Sequence, residues 1–311
     1  EKGRNPYYAG VYKASMDKEG VQLLTPEDAN HRVEMPKSAR YMVDNFSRVD
    51  LEPRSVLRDN KGRVLMELAK PDLKRIYEMG WKMPERFTVK ARDGVTDLYG
   101  VMWKPADFDS TKKYPVISYV YPGPQTEAVP FDFTVSGSNN MALAQVGFVV
   151  VNFGHRGGSP MREKWYHTYG YDNLRDYALA DDKYGIEQLA DRYSFIDLTK
   201  VGIFGHSGGG FMSTAALCTY PDFYTAAVSS SGNHDNNIYN LWWGETHHGV
   251  KEVKKTVKDS VKGDHEVSTF KSKIPTNADL ARNFKGYLLL VTGDMDNNVH
   301  PGNTLRMANA L

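Results

Sequence analysis

The stretch from Lys200 to Cys218, Lys-Val-Gly-Ile-Phe-Gly-His-Ser-Gly-Gly-Gly-Phe-Met-Ser-Thr-Ala-Ala-Leu-Cys, limits the possible folds more than any other part of the chain. Val201, Ile203 and Phe204 form a short apolar strand, and Phe211, Ala215, Ala216 and Leu217 give the apolar face of a helix. Between them Gly205-His206-Ser207-Gly208-Gly209 fits G-x-S-x-G. A strand that passes into a helix through one residue needs a strained turn there, and a glycine on either side leaves room for it. Such a turn lifts the Ser207 hydroxyl above the carboxyl end of the strand, where it can act as a nucleophile. In a chain with 27 glycines the pattern alone is weak, and the flanking strand and helix are what make it specific.

The surrounding segments alternate strand and helix. Residues 115–121 and 148–153 read as buried strands with a helical run at 140–145 between them, and strands at 225–231 and 287–292 follow the turn. Residues 173–192 have helical spacing, with Leu174, Tyr177, Ala178, Gly185 and Leu189 inward and Asp181 interrupting that face. This order predicts an α/β fold with a doubly wound, mostly parallel sheet. An antiparallel hairpin at the sheet edge is expected from residues 85–91 and 97–103 around Arg92-Asp93-Gly94. The polar insertion at 251–273, rich in Lys and Asp, reads as a solvated loop.

Residues 1–70 are β-rich. Four strand-like runs, at 8–15, 21–25, 41–47 and 63–68, are separated by turns at 17–20 and 59–62. Four runs match one blade of a β-propeller, so the segment is expected to be the last part of such a domain. A small β-extension packed on the α/β domain is the alternative. Residues 71–84, with a short helix, form the connector, and residues 85–311 the α/β domain. The opening Glu1-Lys2-Gly3 and the uncapped amphipathic run at 305–311 lead us to expect part of a longer protein.

Charge and cysteine content narrow the partners. Lys and Arg number 39 against 38 Asp and Glu, which gives no electrostatic case for nucleic acid or an anionic membrane, so a small ligand or peptide fits better. No run reaches the length of a transmembrane segment. The single cysteine, Cys218, excludes an intramolecular disulfide and any multi-cysteine metal site. His247 and His248 are adjacent and rarely face one ion together, so neither a metal nor another cofactor is expected. Trp242 and Trp243 suit a pocket wall or an interface, and a homodimer remains open.

A serine nucleophile needs a base, an orienting carboxylate and donors for the developing oxyanion. In α/β-hydrolases these follow the chain order Ser, Asp or Glu, His. Gly293-Asp-Met-Asp-Asn-Asn-Val-His300 directly follows a late strand and supplies Asp294 and Asp296. His300 is too close to serve them, so the catalytic histidine is expected roughly 25 to 40 residues beyond Leu311, and the 311 residues alone should be inactive. At the turn Tyr121-Pro-Gly-Pro-Gln125 the backbone or the Tyr121 hydroxyl can face the oxyanion together with the Gly208 N–H; a plain Pro-Gly turn with a packed tyrosine is the other reading. Arg156 follows a strand at the carboxyl edge and suits a substrate carbonyl or carboxylate, or an exposed loop. His206 is expected to pack beneath the turn.

Gly205-His-Ser-Gly-Gly-Gly210, Val120-Tyr-Pro-Gly-Pro124, Gly154-His-Arg-Gly-Gly158 and Gly293-Asp-Met-Asp-Asn-Asn-Val-His300, in this order, resemble the prolyl oligopeptidase family of serine peptidases, and within it the dipeptidyl peptidase IV-like branch. The resemblance implies an α/β-hydrolase fold preceded by a β-propeller, Ser207 as nucleophile, Asp296 rather than Asp294 as triad acid, and Tyr121 as the oxyanion tyrosine. It also implies an aromatic, apolar specificity pocket just after the strand that follows the turn. Here that stretch, Ser231 to Trp243, offers Tyr239 and Trp243 as apolar wall but also Asn233 and Asn236, so strict proline preference is not expected. The expected activity is hydrolysis of peptides near their N-terminus. The alternatives are an acylaminoacyl peptidase or esterase with the same triad, or a non-catalytic peptide-binding module.

Overall fold

The structure, a computed structural model, describes residues 4–135, 139–261 and 263–311. Residues 1–3 of the β-rich segment and Lys262 of the insertion lie outside them. The N-terminal part begins with a hairpin of β1 (Tyr12–Ala14) and β2 (Val21–Leu23). It continues as an antiparallel four-stranded meander of β3 (Asn30–Glu34), β4 (Tyr41–Arg48), β5 (Leu51–Asp59) and β6 (Val64–Ala69). The four runs read from the sequence are therefore not the four strands of one sheet. The first two form the separate hairpin, while β3 and β5 lack a clear apolar alternation. Charge holds those two in place. Arg58, 1% exposed, donates from Nε to Asp44 (2.8 Å) and from Nη2 to Glu27 (2.7 Å), and His31 Nδ1 meets Asp44 at 3.0 Å. Removing one partner would leave the buried charges of Arg58 and Asp44 without compensation, so the set ties the three strands to one arrangement. Pro53 sits beside the bulge between Phe46 and Arg48, where a missing N–H is tolerated.

After the short helix α1 (Lys74–Glu78), strands β7 (Glu85–Lys90) and β8 (Asp97–Trp103) form the expected antiparallel hairpin. Next come β9 (Tyr114–Tyr119), α2 (Asn139–Gln145), β10 (Val149–Phe153), α3 (Lys164–His167), α4 (Leu179–Arg192), β11 (Ile196–His206), α5 (Gly208–Thr219) and β12 (Tyr224–Ser230). Then follow α6 (Leu241–His247), β13 (Lys251–Val257), β14 (His265–Lys271), β15 (Tyr287–Val291) and α7 (Gly302–Ala310). The main sheet runs β15-β12-β11-β9-β10-β8-β7, parallel from β15 to β10 and antiparallel over the last two strands.

Strand alternation explains the layers. On β10, Val149, Val151 and Phe153 join Ile186 and Leu189 of α4 and Met212, Ala215 and Ala216 of α5 in one core. Val150 points the other way, to Ala144 of α2, Val101 and Trp103. A strand buried on both faces reads as a continuous apolar run, as 149–151 does. Beyond α2 that second face is less covered, with Val228 39% and Leu289 57% exposed. Among the described residues no helix is long and apolar enough to cross a membrane.

Two further expectations change. The helix predicted from residue 173 starts at Leu179, because Asp172 takes φ 65° and the preceding residues turn. The 251–273 segment is an exposed antiparallel hairpin, β13 with β14, rather than a loop. Its Val and Thr residues favour strands, while the charges on both faces hid the period.

Candidate active site

Ser207 sits between β11 and α5 at φ 55°, ψ −118°, a left-handed conformation that costs a non-glycine residue about 1–3 kcal/mol. The neighbours hold it there. Its N–H donates to Ser230 O (2.8 Å), its carbonyl accepts from Phe211 N–H (3.0 Å), and the Val120 N–H bonds Phe204 O (3.0 Å), which draws the chain at Val120–Tyr121 across the turn. A Cβ on Gly205 or Gly209 would drive into the Val120 carbonyl oxygen, so both glycines are required by the crossing backbone. The helix that follows is buried from Gly209 to Cys218. Its first N–H groups, including that of Gly208, have no acceptor within the helix and face the turn.

A cavity of about 50 Å³ opens beside the serine, lined among others by Tyr121, Ser207, Gly208, Asn233, Tyr239 and Trp243. The structure thus brings together five site candidates with the proposed nucleophile. Tyr239 and Trp243 pack edge to face at 5.7 Å, and Tyr239 OH donates to Asn298 Oδ1 (3.1 Å). Asn236 does not reach the cavity. It lies behind Asn233, 3% exposed, and accepts the Asn233 amide N–H (2.5 Å). Asn233 Oδ1 and Asn236 Nδ2 are left without partners among the described residues, so the wall carries an unspent polar pair. Trp242, one residue along α6, points out and is 64% exposed.

Arg156 is neither a substrate ligand here nor an exposed loop residue. Its Nε and Nη2 donate to Asp181 (3.0 and 2.8 Å) and its Nη1 to Asp93 (3.2 Å), while Tyr169 stacks on the guanidinium at 4.2 Å. Two carboxylates consume its donors, and it clamps α4 to the β7–β8 hairpin. The same contacts explain Asp181, which interrupts an apolar helix face only on paper.

The loop after β15 places Asp296 half-buried and Asp294 exposed. The Val299 and Asn298 N–H groups, both 2.9 Å from Asp296 Oδ1, hold its carboxyl below the usual range, with smaller contributions from the Ser231 hydroxyl and the nearby His206 ring. His206 is exposed and bonds Ser230 Oγ through Nδ1 (3.0 Å), so it does not pack beneath the turn. His300 turns its Nδ1 back to the Gly302 N–H (3.0 Å). Among the described residues no histidine is hydrogen-bonded to the Ser207 hydroxyl.

The histidine beneath the turn is His234, which the sequence reading passed over. Asn277 Nδ2 meets its Nδ1 at 3.0 Å, its Nε2 faces Ser229 Oγ at 3.4 Å, and Ser229 Oγ donates to Gly210 O (2.8 Å) in the first turn of α5. Burial pushes its pKa down to about 4. The unfolded chain takes up this proton near pH 6.5 and the folded one only near 4, so the stability from neutral His234 is complete above pH 6.5 and is lost as pH falls toward 4. That is about 3 kcal/mol. Urea unfolding across this window should show the loss in the parent protein and a flatter profile in His234→Gln. Equal slopes would show that this ring does not carry the effect.

A mostly parallel sheet with a strained serine turn at its carboxyl edge is the α/β-hydrolase fold. Within it, a sequence model of the prolyl oligopeptidase family matches residues 133–311, and the chain belongs to that family of serine peptidases. Human dipeptidyl peptidase 8 is 31% identical over 222 residues, covering 71% of this chain and 23% of the relative. Human prolyl endopeptidase FAP is 26% identical over 230 residues, covering 74% and 28%. Among solved structures, one from Bacteroides ovatus described as a dipeptidyl aminopeptidase IV superposes with TM-score 0.75 at 27% identity, covering 93% of this chain and 39% of the other. Porphyromonas gingivalis dipeptidyl peptidase 4 shares the fold with TM-score 0.77 at 23% identity, covering 98% and 41%. The chain spans about a quarter of the length of these curated relatives.

Proposed function

We propose that the protein containing this chain is a serine peptidase of the dipeptidyl type. The observation that carries the reading is Ser207 held left-handed at the mouth of a cavity that also contains Tyr121 and the Gly208 end of α5. Ser207 Oγ attacks the scissile carbonyl carbon, and its proton passes to a histidine supplied from outside these 311 residues and oriented by Asp296. The Tyr121 hydroxyl and the Gly208 N–H receive the oxyanion. Collapse expels the amine, which takes the proton from that histidine, and water then releases the acyl group by the same steps.

Tyr239 and Trp243 form the apolar side of the pocket for the residue before the cut, and Asn233 its polar side. A small pocket with an amide in its wall suits alanine as well as proline. The β3–β6 meander, whose outer strand leaves Val64, Leu65, Met66 and Leu68 exposed, supports reading residues 4–70 as the closing part of a β-propeller.

The test compares Xaa-Pro and Xaa-Ala chromogenic dipeptides, with free or acetylated amines, on the full-length gene product. The expected result is cleavage of free-amine substrates alone, with Ala and Pro within about tenfold of each other, the span of a small pocket difference. Cleavage of acetylated substrates moves the assignment to an acylaminoacyl peptidase or endopeptidase, and no cleavage at all favours a peptide-binding module.

A further inference from the structure

Between Lys113 and Asp132 the chain carries one charged side chain, Glu127, six residues after Tyr121. Among the described residues its carboxylate takes no salt bridge that would explain it as a surface charge. Instead Oε2 accepts the Tyr7 hydroxyl (2.5 Å), and Oε1 accepts the Tyr166 hydroxyl (2.6 Å) and the His155 N–H (3.3 Å). Both tyrosines are 1% exposed. Burial first, and then the Glu127 charge, hold both phenols far above their ordinary range, so they remain donors.

The carboxylate is also nested in backbone. A Cβ on Gly154 would stand 2.9 Å from Oε1, and one on Gly158 would enter the carboxyl group itself. The two outer glycines of Gly154-His-Arg-Gly-Gly158 leave the space that the Glu127 carboxylate occupies. The Arg162 guanidinium lies over the Tyr166 ring at 4.1 Å, and the Tyr7 ring stacks on Phe131 at 4.6 Å.

Three segments meet at this one side chain: the N-terminal β-rich part through Tyr7, the stretch from β10 to α3 through His155 in its loop and Tyr166 in α3, and the loop that carries Tyr121. The path from Glu127 to Tyr121 is six residues long and is closed by a turn. Thr126 N–H bonds Gly123 O (3.2 Å), and on the other side of Glu127 the Ala128 carbonyl accepts from Asn152 Nδ2 (3.1 Å). This turn joins the Glu127 backbone to the segment that carries Tyr121.

We propose that Glu127, with Tyr7 and Tyr166, is a positioning unit that sets the oxyanion loop and makes the catalytic rate depend on how the N-terminal β-rich segment is docked. The proposal rests on the reading of Tyr121 as an oxyanion donor. An oxyanion site misplaced by about 1 Å loses about 10²-fold in rate with little change in ground-state binding.

The test uses the full-length gene product and three variants, Glu127→Ala, Tyr7→Phe and Tyr121→Phe. The readouts are kcat per active site titrated with a fluorophosphonate, KM, and the affinity of a dipeptide boronic acid that forms a tetrahedral adduct on the serine. Titration removes the misfolded fraction, so a merely structural role leaves kcat per site unchanged. The expected result is a fall of about 30- to 100-fold in kcat per site for Glu127→Ala, with KM within about threefold and the boronate weakened in parallel. Tyr7→Phe, which keeps the ring stack and deletes one hydroxyl, should lose about three- to tenfold and is available even if Glu127→Ala does not fold. Parent-like kcat per site in Tyr7→Phe, and in Glu127→Ala where it folds, overturns the proposal while a loss in Tyr121→Phe leaves the oxyanion reading standing. A parent-like Tyr121→Phe removes that reading and the proposal with it.

Discussion

Replacing Ser207 by alanine should lower kcat/KM of the full-length gene product by about 10⁴-fold or more while leaving the fold in place. The size follows from the role. Without the hydroxyl there is no covalent path, and only the oxyanion donors and binding remain to assist water. The intact fold follows from the geometry, since the turn is held by backbone groups, the Ser207 N–H to Ser230 O and the Phe211 N–H to Ser207 O, which alanine keeps. The strain at φ 55° is common to both residues, so urea midpoints should agree closely. Activity retained in Ser207→Ala would place the nucleophile elsewhere.

Asp296→Asn should cost about 10³- to 10⁴-fold in kcat, and Asp294→Asn less than about twofold. Asparagine keeps an oxygen for the Val299 and Asn298 N–H groups, so the loop survives, but it loses the charge that stabilises a protonated histidine. Because those N–H groups depress the Asp296 carboxyl, it is ionised across and below the neutral range. The acid limb of the rate profile should therefore follow the histidine, and lowering the pH should not silence Asp296 before that ring is protonated. Asp294 is exposed, and no side-chain hydrogen bond or ion pair holds it among the described residues. Equal losses at both positions would contradict the choice between them.

What was legible in the sequence is local. The turn at Ser207 announces itself because a strand, a G-x-S-x-G and a helix are adjacent in the chain, and the loop after β15 can be found because it directly follows a strand. The Tyr121 turn is legible for the same reason. What was hidden depends on partners far along the chain. Arg156 looked free because Asp181 and Asp93 lie 25 and 63 residues away. Glu127 gave no signal because its partner Tyr7 is 120 residues earlier, although a lone carboxylate in an otherwise uncharged loop was a clue. His234 was hidden between Asn233 and Asn236, which drew attention as pocket residues. Strands β3 and β5 escaped pattern reading because they place His31 and Arg58 on the buried Asp44 beside a small apolar core of Ala29, Phe46 and Val56, so polar residues stand where alternation would call for apolar ones.

The central claim is that Ser207 is a nucleophile, and its most direct test is chemical. The full-length gene product is treated with a fluorophosphonate, digested, and the adduct located by mass spectrometry. A single labelled peptide modified at Ser207 is expected, with label and peptide hydrolysis lost together in Ser207→Ala. Hydrolysis that persists while Ser207 stays unlabelled, or label on another residue that abolishes it, would contradict the account.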